Sequence, residues 1–140
     1  MTAIDADLID AYRATAYHVQ NGDENFVLQV DRPSAPLRQI YGTKGVSSAA
    51  FLTAWNPFSA PASIATNREA QLQLERQIVE LGLAHLIGRG EDAAGSWPGE
   101  DSVLILGITL VEARRLAETF GQNAFLWCDD DAAPRLVLMR

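Results

Sequence analysis

Amides, acids and tryptophans gather in a few short stretches of this sequence: Trp55-Asn56-Pro57-Phe58-Ser59, Asn67-Arg68, the span from Arg89 to Asp101, and Gln122-Asn123. Asn and Gln amides offer donors and acceptors without charge, and a tryptophan offers a flat apolar wall. A carboxylate partly buried beside such a wall has its pKa raised toward the range where acid–base work is done. Glu100, close to Trp97 in a polar stretch, is therefore the first candidate for a general acid or base, and Glu91 is the second. Each also has a plainer reading as the ion-pair partner of Arg89 or Arg68, or as a solvated charge. The expected ligand contacts are Trp55, Asn56, Asn67, Arg68, Arg89, Trp97, Gln122 and Asn123.

Other chemistries find less support. Ser59 sits in no G-x-S-x-G elbow, and Cys128 closes the apolar run Ala124-Phe125-Leu126-Trp127, where a small buried hydrophobe is expected rather than a reactive thiolate. A lone cysteine excludes an internal disulfide, and with His18 and His85 as the only imidazoles a Cys/His zinc site is not expected. Asp129-Asp130-Asp131 runs into Ala132-Ala133-Pro134 with no bidentate Glu at calcium-loop distance, so it reads as a hairpin turn. Gly88-Arg89-Gly90 and Gly42-Thr43-Lys44-Gly45 are too short for phosphate loops. Lys44, the one lysine, shares its stretch with Arg32 and Arg38, a basic loop read as solvated rather than anion-binding. No metal and no cofactor are expected.

The elements that must position these residues show themselves by caps and periodicity. Thr66-Asn67-Arg68-Glu69 and Thr109-Leu110-Val111-Glu112 both match the capping box. Apolar residues then recur at helical spacing, Ala70, Leu74, Ile78 and Leu81 in the first and Leu110, Ala113, Leu116, Ala117 and Phe120 in the second. Gly82 and Gly121 supply left-handed stops. Strands are expected over residues 50–55, 83–88, 102–108 and 123–128. The order strand, helix, strand, strand, helix, strand is a split βαβ, ferredoxin-like α+β core. The span Arg89 to Asp101 becomes its long hairpin loop.

Extensions surround this core. Residues 5–13 suggest a short helix with Leu8, Ile9 and Tyr12 on one face; residues 15–20 and 25–30 suggest an N-terminal hairpin over Asn21-Gly22; residues 135–140 suggest a C-terminal strand. The segment Arg32 to Ser48, with Pro33, Pro36, Gly42 and Gly45, reads as a loop or linker. In Val103 to Leu106 and Ala124 to Trp127 both alternating faces are apolar, the pattern of strands covered on two sides. Two helices cover one face only, so either the first fifty residues or a second copy of the chain is expected across the other. In the ferredoxin-like order, Asn56, Asn67, Glu100 and Gln122 fall at one end of the sheet.

A chain of 140 residues fits one domain, and 48% hydrophobic with 21% charged residues is ordinary globular composition. Its net charge of −7 opposes a nucleic-acid partner. The longest apolar stretch, Val103 to Val111, falls well short of the roughly 20 residues that span a bilayer. The first residues do not read as a signal peptide, so a soluble, cytoplasmic, unprocessed protein is expected, with no membrane partner.

The strings TAWNPFS (residues 53–59), TNREAQ (66–71), GSWPGEDSVLILGI (95–108) and FGQNAFLW (120–127), in this order and spacing, resemble an uncharacterised bacterial family, domain of unknown function 3293. The resemblance runs from the Ala11-Tyr12-Arg13 region nearly to the last residues and implies a small standalone bacterial protein, with no catalytic residue to carry over. The expected function is thus a binding or regulatory module holding a small polar ligand at the Asn56, Asn67, Glu100 and Gln122 end. The alternatives are a small hydrolase or transferase using Glu100 as general acid or base, and an interaction module. The last would take a second copy or another protein through a sheet face or edge.

Overall fold

A computed structural model describes residues 4–92 and 99–139. The protein is α+β, and its described residues form four α-helices and a seven-stranded antiparallel sheet curled as a half-barrel. Its elements are α1 (Ala6–Ala14), β1 (Thr15–Val19), β2 (Phe26–Leu28), α2 (Ala35–Lys44), β3 (Ala49–Thr53), α3 (Ile64–Glu80), β4 (Ala84–Asp92), β5 (Glu100–Leu106), α4 (Leu110–Thr119), β6 (Ala124–Cys128) and β7 (Pro134–Leu138). The sheet order is β2-β1-β4-β5-β3-β6-β7.

Two apolar layers sandwich the central strands. On one face Ala50, Leu52, Val103 and Ile105 pack with Leu74 and Ile78 of α3 and Ala113 and Leu116 of α4. On the other, Ala49, Phe51, Leu104, Leu106 and Leu126 pack with Leu37, Ile40 and Tyr41 of α2. Alternation along a strand sends neighbouring side chains to opposite faces, which is why residues 49–52 and 103–106 are apolar at every position. The second face is thus closed from within the chain by α2.

That helix corrects the reading of residues 32–48 as a loop. Ser34 caps it by accepting from the Leu37 N–H at 3.2 Å, and Gly45 ends it at φ 68°. Pro36 falls in the first turn, where the missing N–H has no intrahelical partner to lose, so a residue read as a breaker is a helix starter.

Two further boundaries move. α3 starts at Ile64 rather than after Thr66, because Ser63 accepts from the Thr66 N–H and the two hydroxyls pair at 2.8 Å. Arg89, Glu91, Glu100 and Asp101 lie on strands rather than in a long loop: β4 and β5 stay paired to Gly90↔Glu100, and β1 pairs with β4 as far as Asp92. The extra edge supplied by β1 is what keeps so polar a stretch extended. Gly82 and Gly121 terminate their helices at φ 75° and 65°. Among the described residues, no helix is long and apolar enough to cross a membrane.

Candidate functional site

The segment leaving β3 is built against its own preferences. Asn56, Phe58 and Ser59 all have positive φ, 47°, 58° and 58°. Outside glycine such conformations cost about 1 kcal/mol or more each and persist only where surroundings impose them. Side-chain amides supply those surroundings. Gln71 Oε1 accepts from the Ala54 N–H at 3.0 Å, Asn67 Oδ1 accepts from the Asn56 N–H at 2.9 Å, and Gln122 Nε2 donates to the Trp55 carbonyl at 3.1 Å. Asn67, Gln71 and Gln122 are buried, and each substitutes for the sheet partner the backbone loses when it turns away. From the other side, Phe58 N–H donates to the Gly121 carbonyl at 2.6 Å.

Asn56 is the centre of this scaffold. Its Oδ1 accepts from Asn67 Nδ2 at 2.9 Å and from the Ala62 N–H at 3.0 Å, which fixes the amide so that Nδ2 points the other way. There it donates to Glu100 Oε2 at 3.0 Å. Glu100 opens β5 on the face of Leu104 and Leu106, half-buried, and burial pushes its carboxyl above the ordinary range although the Asn56 bond pulls it down. Among the described residues it makes no ion pair.

Glu100 lines a cavity of about 710 Å³ on the α2 face of the sheet, beyond the end of the α2 layer. Phe51, Thr53 and Ser102 form its floor, Tyr17 and Leu126 its sides, and Trp55, Asn56, Asn67 and Arg68 one rim. The opposite rim is α1, which presents Leu8, Ala11 and Tyr12 to the cavity while burying none of its residues. Its C-terminal carbonyls are held from β1: Thr15 Oγ1 donates to Ala11 O and Tyr17 OH to Tyr12 O, both at 2.6 Å. Across the mouth the Tyr12 hydroxyl meets Ser59 Oγ at 2.9 Å, and Asn123 Nδ2 donates to the same Ser59 oxygen at 3.1 Å. Tyr17 and Phe51 meet nearly perpendicularly, ring centres 5.2 Å apart, and burial raises the Tyr17 phenol so that it stays protonated. The Trp55 indole N–H is buried with no acceptor among the described residues.

Asn56, Asn67, Glu100 and Gln122 therefore share one end of the sheet, but their tasks differ. All four border the cavity together with Trp55 and Arg68, but the Asn67 and Gln122 amides bond the backbone of the turn and hold it, whereas the Glu100 carboxylate accepts from Asn56. Arg89 also borders it, while pairing with Glu91 at 3.0 Å and Asp101 at 3.2 Å. Glu91 lies outside the cavity, half-exposed, paired with Arg89 as its plainer reading has it and 3.7 Å from His18. Asn123 stands at the mouth, and Trp97 falls outside the described residues. Sequence reasoning missed Gln71, Thr53, Tyr12 and Tyr17. Gln71 was accessible, one helical turn beyond Asn67 on the face that also carries Leu74 and Ile78.

Elsewhere, Cys128 is buried, its thiol pushed up to about 12 by desolvation, and Asp131 pairs with Arg135 at 2.7 Å across the hairpin turn. Among the described residues no group of three or more His, Cys, Asp or Glu is placed to hold a metal ion.

Comparisons with curated proteins and with solved structures returned no match. The family described as protein of unknown function (DUF3293) matches residues 52–125, from the end of β3 through both flanking helices into β6. That span is more than half of the chain and holds the whole Asn56, Asn67, Glu100 and Gln122 scaffold, so the protein belongs to this family.

Proposed function

We propose that the protein is a small-molecule binding module whose ligand occupies the cavity between α1 and the sheet, anchored on Glu100. The observation that carries this reading is the Glu100 carboxyl itself. It faces a cavity large enough for a drug-sized molecule and, among the described residues, is held by one neutral amide that is itself fixed by two further hydrogen bonds. A carboxyl left without a cationic partner among apolar and aromatic walls costs stability. A fold that retains it gains from a ligand that completes it. The strained turn at Asn56 to Ser59 supports the same reading, since left-handed non-glycine residues gather where a site must be preset.

The order β4-β5-β3-β6, with α3 and α4 on one face, supports reading residues 49–128 as a ferredoxin-like split βαβ unit. β1, β2 and β7 then extend the sheet and α1 covers the cavity. The raised carboxyl of Glu100 favours one second reading, an enzyme in which Glu100 gives or takes a proton.

A thermal-shift screen of the full chain against metabolites tests the binding reading, since a ligand selective for the folded state raises its apparent stability. Hits should lose their effect in Ala11→Trp, which fills the cavity from a helix that contributes no fully buried residue to the core. Hits that stabilise this variant as well as the wild type would place the ligand elsewhere. Turnover of a hit by wild type and its loss in Glu100→Gln would move the conclusion to the enzyme.

A further inference from the structure

Resting on the binding reading, we infer that the ligand is an organic cation, an ammonium or amidinium group on an apolar body, with its charge met by the Glu100 carboxylate and by the aromatic rings of the same cavity.

The absence of a cationic partner for Glu100 among the described residues defines the charge. Oε2 accepts from Asn56, whose amide cannot turn because its oxygen is already bonded to Asn67 and Ala62. Among the described residues no cation reaches the carboxylate. Arg89 borders the cavity but is taken up by Glu91 and Asp101. Arg68 stands exposed at the rim with no ion pair among the described residues. A partly buried carboxylate is stabilised by a paired, hydrogen-bonding cation, and among the described residues none supplies one.

The walls define the rest of the ligand. Tyr17, Phe51 and Trp55 line the same space, and ring faces attract cations through their quadrupole. Both phenol hydroxyls at this end are engaged, Tyr17 with Tyr12 O and Tyr12 with Ser59, so the rings act as apolar surface. An anion deep in the cavity would meet the Glu100 carboxylate, with Arg68 at the exposed rim and Arg89 already paired with Glu91 and Asp101. The net charge of −7 attracts cations in addition.

Benzamidine, benzamide and benzoate share one shape and differ in charge, which makes them suitable probes for calorimetric titration of the full chain. Benzamidine should bind about tenfold or more tighter than benzamide, as expected for a charge-assisted hydrogen bond plus a cation–aromatic contact, and benzoate most weakly. Glu100→Gln should erase the preference while keeping the benzamide affinity. Glu80→Gln, which removes one exposed charge at the far end of α3, should preserve it. Retained benzamide binding, or a cooperative circular dichroism melt no lower than that of wild type, shows that the Glu100 variant is folded. Equal binding of benzamidine and benzamide overturns the cation and leaves the cavity reading standing, as does a preference that survives in Glu100→Gln. Tighter binding of benzoate overturns it in favour of an anion held by Arg68. Silence of the wild type toward all three overturns the cation and the binding reading together.

Discussion

The side-chain amide of Asn56 donates to the Glu100 carboxylate at 3.0 Å, so the turn leaving β3 and the first residue of β5 share one half-buried acid. Asn56→Asp isolates that bond, because Asp tolerates positive φ as Asn does but places an oxygen where the donor was. The variant should lose about 1–3 kcal/mol at neutral pH. The loss should be greater at pH 8 than at pH 5, where a shared proton relieves the facing carboxylates. Urea titrations at both pH values measure it. A variant as stable as wild type at pH 8 would show that the bond contributes nothing.

Glu100 alone makes a second prediction. Its carboxyl pKa is raised in the fold by desolvation, so the native state holds the proton more tightly than the unfolded chain does. The stability it allows is present below the ordinary carboxyl range and is lost as pH rises through the folded pKa. Glu100→Gln removes this penalty while still accepting from Asn56. The variant should melt above wild type at neutral pH, with the difference vanishing near pH 4. Melting curves from pH 4 to pH 8 test the sign, and a wild type more stable than the variant at pH 8 would reverse it.

Gly121 and Gly82 both end helices with positive φ, but only Gly121 is crowded. A Cβ there would lie 3.0 Å from Pro57 Cβ and 3.1 Å from Phe58 Cε2, whereas one at Gly82 would meet nothing within 4 Å. Gly82→Ala should cost about 1 kcal/mol, the left-handed strain alone. Gly121→Ala should cost roughly 1 kcal/mol more, because it also pushes on the turn that carries Asn56. Equal losses in paired denaturation curves would mean that the Pro57–Phe58 contact yields freely.

Cys128 should stay unreactive. With its thiol pushed up to about 12 and its side chain buried among the α2 layer, the thiolate population at pH 8 is negligible. A thiol-exchange reagent should label it only as the chain opens, and labelling should become rapid in denaturant. Fast labelling of the native protein would place Cys128 outside the core.

The central architecture was legible where local rules and burial agree. Val103 to Leu106 are apolar on both faces because both faces are covered, and Gly82 and Gly121 stop helices because their φ is positive. Legibility failed where tertiary pairing overrides local signals. Pro36 and Gly42 look like loop residues until Ser34 and Gly45 are recognised as caps at either end. The stretch from Arg89 to Asp92 looks like loop because its charges conceal a strand held between β1 and β5. At the site, the convergence of Asn56, Asn67, Glu100 and Gln122 followed from topology. Which amides face inward did not, since that depends on hydrogen bonds between residues far apart in sequence. Tyr12 and Tyr17 reach the cavity only because β1 joins the sheet beside β4, a pairing no short pattern announces.

α1 borders the cavity with none of its residues fully buried; besides the Thr15 and Tyr17 hydroxyl bonds to its last carbonyls, its ties are the exposed Tyr12–Ser59 hydrogen bond and the Arg13–Asp31 pair at 3.1 Å. Exposed links of this kind are worth at most about 1 kcal/mol each. The sheet beneath is buried on both faces, and segments so differently anchored open with very different free energies. Two clocks therefore run in this protein. On the proposed binding reading, the residence time of a guest would follow the undocking of one short helix, while the lifetime of the fold follows the parting of β3, β5 and β6. Substitutions along α1 should retune the first without touching the second, so a tight-binding and a fast-exchanging form can share one melting temperature.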